Sequence, residues 1–221
     1  MAGSSVTPLR ATSSGRFFSP KGASLQSYRA YRRLHAVNGR FDKEAWLDAW
    51  TQFKDGRFSY EIVSERGSSV VRDRVLRPML ATEEKIVNDG DRGRGDLTDE
   101  NYDFEDAGLN ADGLPLVQMK PRRHDVMLVD GRMVLSSDGR DLLRIEGRLA
   151  KNPSFWTSLV NVIEHFSRIG GVRVPVATES VAKIRFAGTA RLDVQYEYES
   201  INGRPVSQAE NRAAWPRGVA R

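Results

Sequence analysis

Apolar and polar residues alternate with a period of two over much of this chain, most plainly toward its C-terminal end. Leu192, Val194, Tyr196 and Tyr198 interleave with Arg191, Asp193, Gln195, Glu197 and Glu199, which describes a strand with one apolar face and one wet face. Four long runs follow one another there: Leu142–Lys151, Ser154–Ile169, Val172–Phe186 and Thr189–Ile201. Asn152-Pro153, Gly170-Gly171 and Ala187-Gly188 punctuate them as short connections. Long strands joined so briefly predict an antiparallel meander that curls to cover its own apolar face.

Upstream the pattern changes twice. Tyr28–Val37 alternates as a strand and ends at the hairpin pair Asn38-Gly39. Lys43–Phe53 fits both helical spacing and alternation; a strand is preferred because Asp55-Gly56 joins it simply to Phe58–Glu65. From Ser68 to Asp89 the period becomes helical. Val71, Val75, Leu76, Met79, Leu80, Ile86 and Val87 form one apolar stripe, with Ser68 or Ser69 as cap and Asn88-Asp89-Gly90 as stop. Pro78 removes one backbone bond and predicts a kink. The segment 89–106 reads mostly as charged loop anchored by Tyr102–Phe104. Short strands are expected at Leu114–Lys120, Asp125–Val129 and Arg132–Ser136, with turns at Asp112-Gly113, Asp130-Gly131 and Asp138-Gly139.

The expected fold class is therefore mainly β (α+β): an unclosed, strongly curled antiparallel β-barrel with one main kinked helix, about 69–89, on the concave face. A disordered segment 1–24, with Phe17 and Phe18 as its only apolar anchors, is expected before a single domain over 25–206, and an irregular tail over 207–221.

Composition narrows the chemistry. The chain has 221 residues, a net charge of +5 and no cysteine. Disulfides, thiol catalysis, thiolate metal sites and lipoprotein-type lipid attachment are thereby excluded. No run of 18 apolar residues suggests a membrane-spanning helix. The opening stretch lacks the apolar core of a signal peptide, so the expected location is the periplasm if a signal has been removed, and otherwise the cytoplasm.

Sites for chemistry are few. Asp89, Asp91 and Glu100 have calcium-loop spacing, but Gly93 and Arg94 stand where a ligand and a glycine belong. His35, His124 and His165 lack zinc-site spacing, and there is no Gly-x-Ser-x-Gly elbow or phosphate loop. His165 alternates with Leu159, Asn161 and Ile163 and is expected to face an interior. Lys120-Pro121-Arg122-Arg123-His124 is the one compact basic run; with no nucleic-acid motif beside it, it reads as a solvated turn that could equally meet an acidic lipid or protein surface. No cofactor or metal is expected, and no enzyme. The suggestive feature is a set of aromatics on strands: Trp46, Trp50, Phe58, Tyr60, Phe155, Trp156, Phe166, Tyr196 and Tyr198. Most such residues form core, yet a curled sheet under one helix can leave an apolar pocket between its layers.

The closing strands, SFWTSLVNVIEHFSRIGG, VRVPVATESVAKIRFAG and ARLDVQYEYESING, resemble those of outer-membrane lipoprotein-sorting proteins, the LolA/LolB-like superfamily. LLRIEGRL with Asn152-Pro153, and GVRVP at Gly171–Pro175, are similar to an uncharacterised periplasmic group of it. The resemblance spans about Tyr28 to Gly203 and implies an open barrel whose apolar cavity takes acyl chains. The expected function is then a carrier-like protein that shields an acyl chain of a lipid or lipoprotein, acting as a monomer, with a membrane or protein partner and no nucleic acid. The alternative is a non-catalytic scaffold whose barrel is filled by its own side chains. The candidate cavity residues are Trp46, Trp50, Tyr60, Leu76, Met79, Leu80, Leu159, Ile163, Tyr196 and Tyr198. Asn161, Thr178 and Ser180 on inner strand faces would favour a ligand head group.

Overall fold

The computed structural model describes residues 23–90, 92–153, 157–186, 188–216 and 219. The expectations for 1–22, Phe17 and Phe18 included, for Asp91 and for Ser154, Phe155 and Trp156 lie outside these residues. Eleven strands form one antiparallel sheet: β1 (Tyr28–Asn38), β2 (Lys43–Lys54), β3 (Arg57–Gly67), β4 (Tyr102–Leu109), β5 (Pro115–Pro121), β6 (Val129–Leu135), β7 (Leu142–Leu149), β8 (Thr157–Ile169), β9 (Val172–Ile184), β10 (Gly188–Ile201) and β11 (Arg204–Pro205). Their order is β3-β2-β1-β10-β9-β8-β7-β6-β5-β4, with β11 beside β10. The β1–β10 pairing joins the two ends of the chain, while β3 and β4 are left as edges, so the barrel is unclosed.

Lys43–Lys54 is a strand, because its hairpin partners on both sides satisfy its backbone along its whole length. The turn expected at Asp130-Gly131 is absent; Gly131 lies inside β6, directly opposite Gly147 of β7. A Cβ on Gly131 would stand 2.1 Å from the Glu146 carbonyl oxygen, and one on Gly147 would stand 2.4 Å from that of Asp130. Asp-Gly here permits two backbones to approach, rather than a reversal of the chain. The strand expected at Asp125–Val129 is mostly a turn, with Asp125 accepting from the Met127 amide.

The helix is present as a composite, α1. A short α-helical turn, Ser69–Val71, leads into a π-helical turn, Arg72–Leu76, and then into an α-helix, Arg77–Asn88. Pro78 explains the widening. It has no N–H to offer and its ring crowds the carbonyl one turn back, while the Arg77 N–H reaches back five residues to the Arg72 carbonyl.

Direct cross-strand neighbours show which residues share a face. One row runs Leu47, Leu34, Val194, Thr178, Glu164, Ile145, Met133, Val117. The members from β1, β2 and β10 pack under α1 with Ala36, Ala45, Ala49, Val71, Leu76 and Leu80. Those from β5, β6 and β7 pack with Tyr102, Phe104, Met119 and Leu128. Both cores lie on the concave face, and Thr178 and Glu164 separate them.

A second helix, α2 (Gln208–Ala214), replaces the irregular tail expected there. Ser207 and Glu210 form a reciprocal capping box at its start. Asn211 pairs its side-chain amide with the backbone N–H and C=O of Tyr198, and Ala214 packs with Ile169, Val172, Val174 and Ile201.

Candidate functional site

Three side-chain fastenings hold α1 to the sheet, besides the bond from the Ser68 amide at its start to the Glu44 carbonyl of β2. On the β3 side, Glu65 accepts from Arg77 at 2.8 and 2.5 Å, with Arg72 3.6 Å away. At the C-terminal end, Asn88 receives the Phe58 amide and donates to the Phe58 carbonyl, both at 2.9 Å. On the far side, Arg32 of β1 grips Glu83 of α1 through both terminal nitrogens, at 2.5 and 2.9 Å. The first two attach the helix to an edge strand. The third crosses the concave face.

Arg32 is 3% exposed. Its guanidinium lies 4.8 Å from the Tyr196 ring centroid and 5.3 Å from that of Phe58, and it donates to the Tyr28 hydroxyl at 2.8 Å. A forked, flat cation suits such a slot, where ring faces meet its planes and a carboxylate meets its edge. Its Nε has no hydrogen-bond partner among the described residues.

Glu164 is the other charge in this space. It is partly buried and makes no hydrogen bond among the described residues, although Glu83 and Arg32 act on it electrostatically, and its own charge helps raise Tyr102, Tyr196 and Tyr198. Burial first, and the Glu83 charge second, push its carboxyl up to about 7 against the pull of Arg32. Burial likewise raises the Tyr28, Tyr196 and Tyr198 hydroxyls, so these stay protonated. The site therefore contains one guanidinium, one lid carboxylate and one floor carboxyl that changes charge near neutrality.

The expected cavity residues divide between two faces. Tyr60, Leu76, Met79, Leu80 and Tyr196 gather under or beside α1. Tyr198 packs toward α2 and donates its hydroxyl to the Pro175 carbonyl. Trp46, Trp50, Leu159 and Ile163 are on the opposite, convex face. The row Trp46, His35, Asp193, Glu179, Ile163, Glu146 defines that face, and Leu159 shares it through the alternation of β8. Trp46 stacks on His35 at 4.8 Å under Arg66, and Trp50 meets Tyr31 edge-on at 5.1 Å under Arg29. The reason is steric. α1 needs a low floor, and β2 supplies Ala45, Leu47 and Ala49 on the face opposite its tryptophans.

His165, expected to face an interior, is on the convex side, 3.2 Å from Glu179. Burial lowers its pKa. Of the polar trio, Thr178 and Ser180 are on the concave face and Asn161 is not. Three of the four basic residues of the run are spent locally. Arg122 pairs with Asp103, Arg123 with the Asn101 side chain and the Arg94 carbonyl, and His124 with the Ala150 carbonyl.

Leu76 and Leu80 are 0% exposed, so the floor beneath the middle of α1 is filled by the chain itself. A groove of about 510 Å³ runs along the outer flank of α1, bordered by Tyr60, Pro78, Ala81 and Ile86. Among the described residues no group of three His, Asp or Glu side chains could hold a metal ion, and no helix is long and apolar enough to cross a membrane.

Neither Arg32 nor Glu164 was singled out from sequence. Arg32 carries a usable signal: a lone arginine on the apolar face of Tyr28, Ala30, Leu34 and Ala36. Glu164 interrupts Val160 and Val162 in the same way.

No family model matches this chain, and no curated protein matches it. Among solved structures, a DUF1329 family protein from Desulfovibrio piger is a structural neighbour, with a TM-score of 0.38 and 13% identity over 86% of this chain and 92% of that one.

Proposed function

We propose that this protein is a non-enzymatic LolA/LolB-like carrier, which takes the acyl chain of a lipid or lipoprotein onto the concave face when α1 swings away. The observation that carries this reading is the asymmetric fastening of α1. Glu65 and Asn88 tie the helix to edge strand β3, whereas Arg32–Glu83 is the tie on the opposite side. Releasing one ion pair frees that side while the β3 side acts as hinge, and the π turn ahead of Pro78 gives the helix a place to bend. Lifting α1 uncovers Leu34, Leu47 and Val194, and each acyl methylene placed there contributes about 0.8 kcal/mol. Glu164 and Thr178, at the end of that apolar floor, would face the head group. The reading implies an extracytoplasmic setting such as the periplasm, and a monomer.

The self-filled scaffold is the second reading, favoured by the complete burial of Leu76 and Leu80. Organic extraction of purified native protein followed by mass spectrometry separates the two, since a carrier yields a stoichiometric amphiphile. Titration with a fluorescent fatty acid gives the second arm. The carrier requires saturable binding that weakens in a folded Leu80→Trp variant; no binding by the parent, or unchanged binding by the variant, leaves the scaffold.

A further inference from the structure

At one end of the sheet the turn between β1 and β2 and the turn between β9 and β10 stand side by side. The strands behind them are paired, Asn38 opposite Ala190, and the Arg40 side chain lies against the second turn, 3.2 Å from where a Cβ on Gly188 would be. Each turn presents a phenylalanine to solvent. Phe41 is 53% exposed and Phe186 is 79% exposed. Phe186 also has a φ of 62°, a left-handed backbone that a bulky aromatic residue adopts at a cost. A glycine or asparagine would serve the turn better, so Phe186 serves neither the turn nor the core.

The surroundings of these two rings carry a sign. Arg40 and Arg185 in the two turns, and Lys43 and Lys183 at the strand ends beside them, are all exposed, against the carboxylates Asp42 and Glu44, of which Glu44 pairs with His35. Among the described residues no ion pair engages Arg40, Lys43 or Lys183. Two adjacent aromatic tips ringed by long cations match the boundary of an anionic bilayer. The rings enter among the acyl chains, while the cationic heads remain at the phosphate level on flexible stems. The chemistry differs from that of the convex tryptophans, whose faces are already covered by Arg29 and Arg66.

We propose that these two hairpin turns form a docking site for an anionic lipid surface, with Phe41 and Phe186 as inserting side chains and Arg40, Lys43, Lys183 and Arg185 as phosphate contacts. The site stands independently of whether the concave face carries an acyl chain.

The test is sedimentation of the full chain with vesicles of equal parts phosphatidylcholine and phosphatidylglycerol, beside vesicles of phosphatidylcholine alone. The expected result is binding to the anionic vesicles that falls as salt is raised, because the phosphate contacts are exposed and screened. Phe41→Ser with Phe186→Asn should weaken that binding by about tenfold or more, since both inserting rings are removed. Arg40→Glu with Lys43→Glu should weaken it with less sensitivity to salt remaining. The phenylalanine variant should melt no lower than the parent, since asparagine suits the left-handed backbone of position 186, and its affinity for a soluble fatty acid should match the parent's whatever that is. Equal binding to both kinds of vesicle, or undiminished binding by the phenylalanine variant, overturns the proposal. So does a parent that binds no vesicle but self-associates through these turns in sedimentation equilibrium, which makes a second copy the partner.

Discussion

The two halves of the concave face rest on the same rows of paired residues but are closed by different means. Under α1 the floor is low, built of Ala36, Ala45 and Ala49, and the cover is a helix held partly by charges. Across Thr178 and Glu164 the floor carries Phe104, Val117, Met119 and Met133, and the cover is loop. Leu97 and Leu128 plug that half, and the Val129 amide donates to the buried Tyr102 hydroxyl. Leu76 and Leu80 plug the first half in the same way, and the second has an ion pair of its own, Arg94–Asp125, but that pair joins loop to loop, whereas Arg32–Glu83 joins the cover to the sheet. On the carrier reading the first half opens as a unit, while the second must unpack.

This contrast is strongest, and easiest to break, at Phe104. Phe104→Ala should lower global stability by about 3–5 kcal/mol in urea denaturation, with amides throughout the sheet losing protection together. A loss confined to β4 and β5 would show that the second half is also a separable cover. Glu83→Ala leaves Arg32 buried without its partner, so α1 should lose about 3 kcal/mol. In hydrogen exchange the amides of 69–88 should open first, with β6 and β7 unaffected; uniform exposure would erase the distinction between the halves. Gly147→Ala tests the narrow approach of β6 and β7. Its Cβ meets the Asp130 carbonyl, and the parting of the strands should cost about 2 kcal/mol without altering α1 exchange.

The smallest effect is expected at the boundary, Glu164. Its folded pKa, about 7, lies above the ordinary 4.5, so the folded state holds its proton longer than the unfolded state does. That contribution to stability is complete below pH 4.5 and is lost as pH rises through 7. Solvent reaches this part-exposed carboxyl and screens it, so Glu164→Gln should be more stable than the parent above pH 7 by only on the order of 1 kcal/mol, with the difference vanishing in acid. A pH-independent difference would mean that Glu164 titrates normally and that the boundary is open to water.

Much of the fold was legible because it is local. Alternation marked the strands, glycine pairs marked most turns, and the helical stripe of Val71, Leu76 and Leu80 marked the one long helix, since each signal depends only on neighbours along the chain. Asp130-Gly131 misled because the same dipeptide serves a turn or a close approach, and Gly147, sixteen positions on, decides which. The short helix α2 was marked by the Ser207–Glu210 capping box, but its periodic stretch is too brief to stand out.

The sequence by itself determined that this chain builds long amphipathic strands and one helix, because backbone preference and side-chain period are properties of short segments. It could not say which face of β2 looks inward. Trp46 and Trp50 against Ala45, Leu47 and Ala49 is one alternation with two readings, and bulk alone favours the wrong one. Only the tertiary structure chose, because the inner face must admit a helix and the larger side chains must then go outside. The same folding brought Arg32, Glu83 and Glu164 from three distant segments into one space, where Arg32 meets Glu83 and burial raises the Glu164 carboxyl.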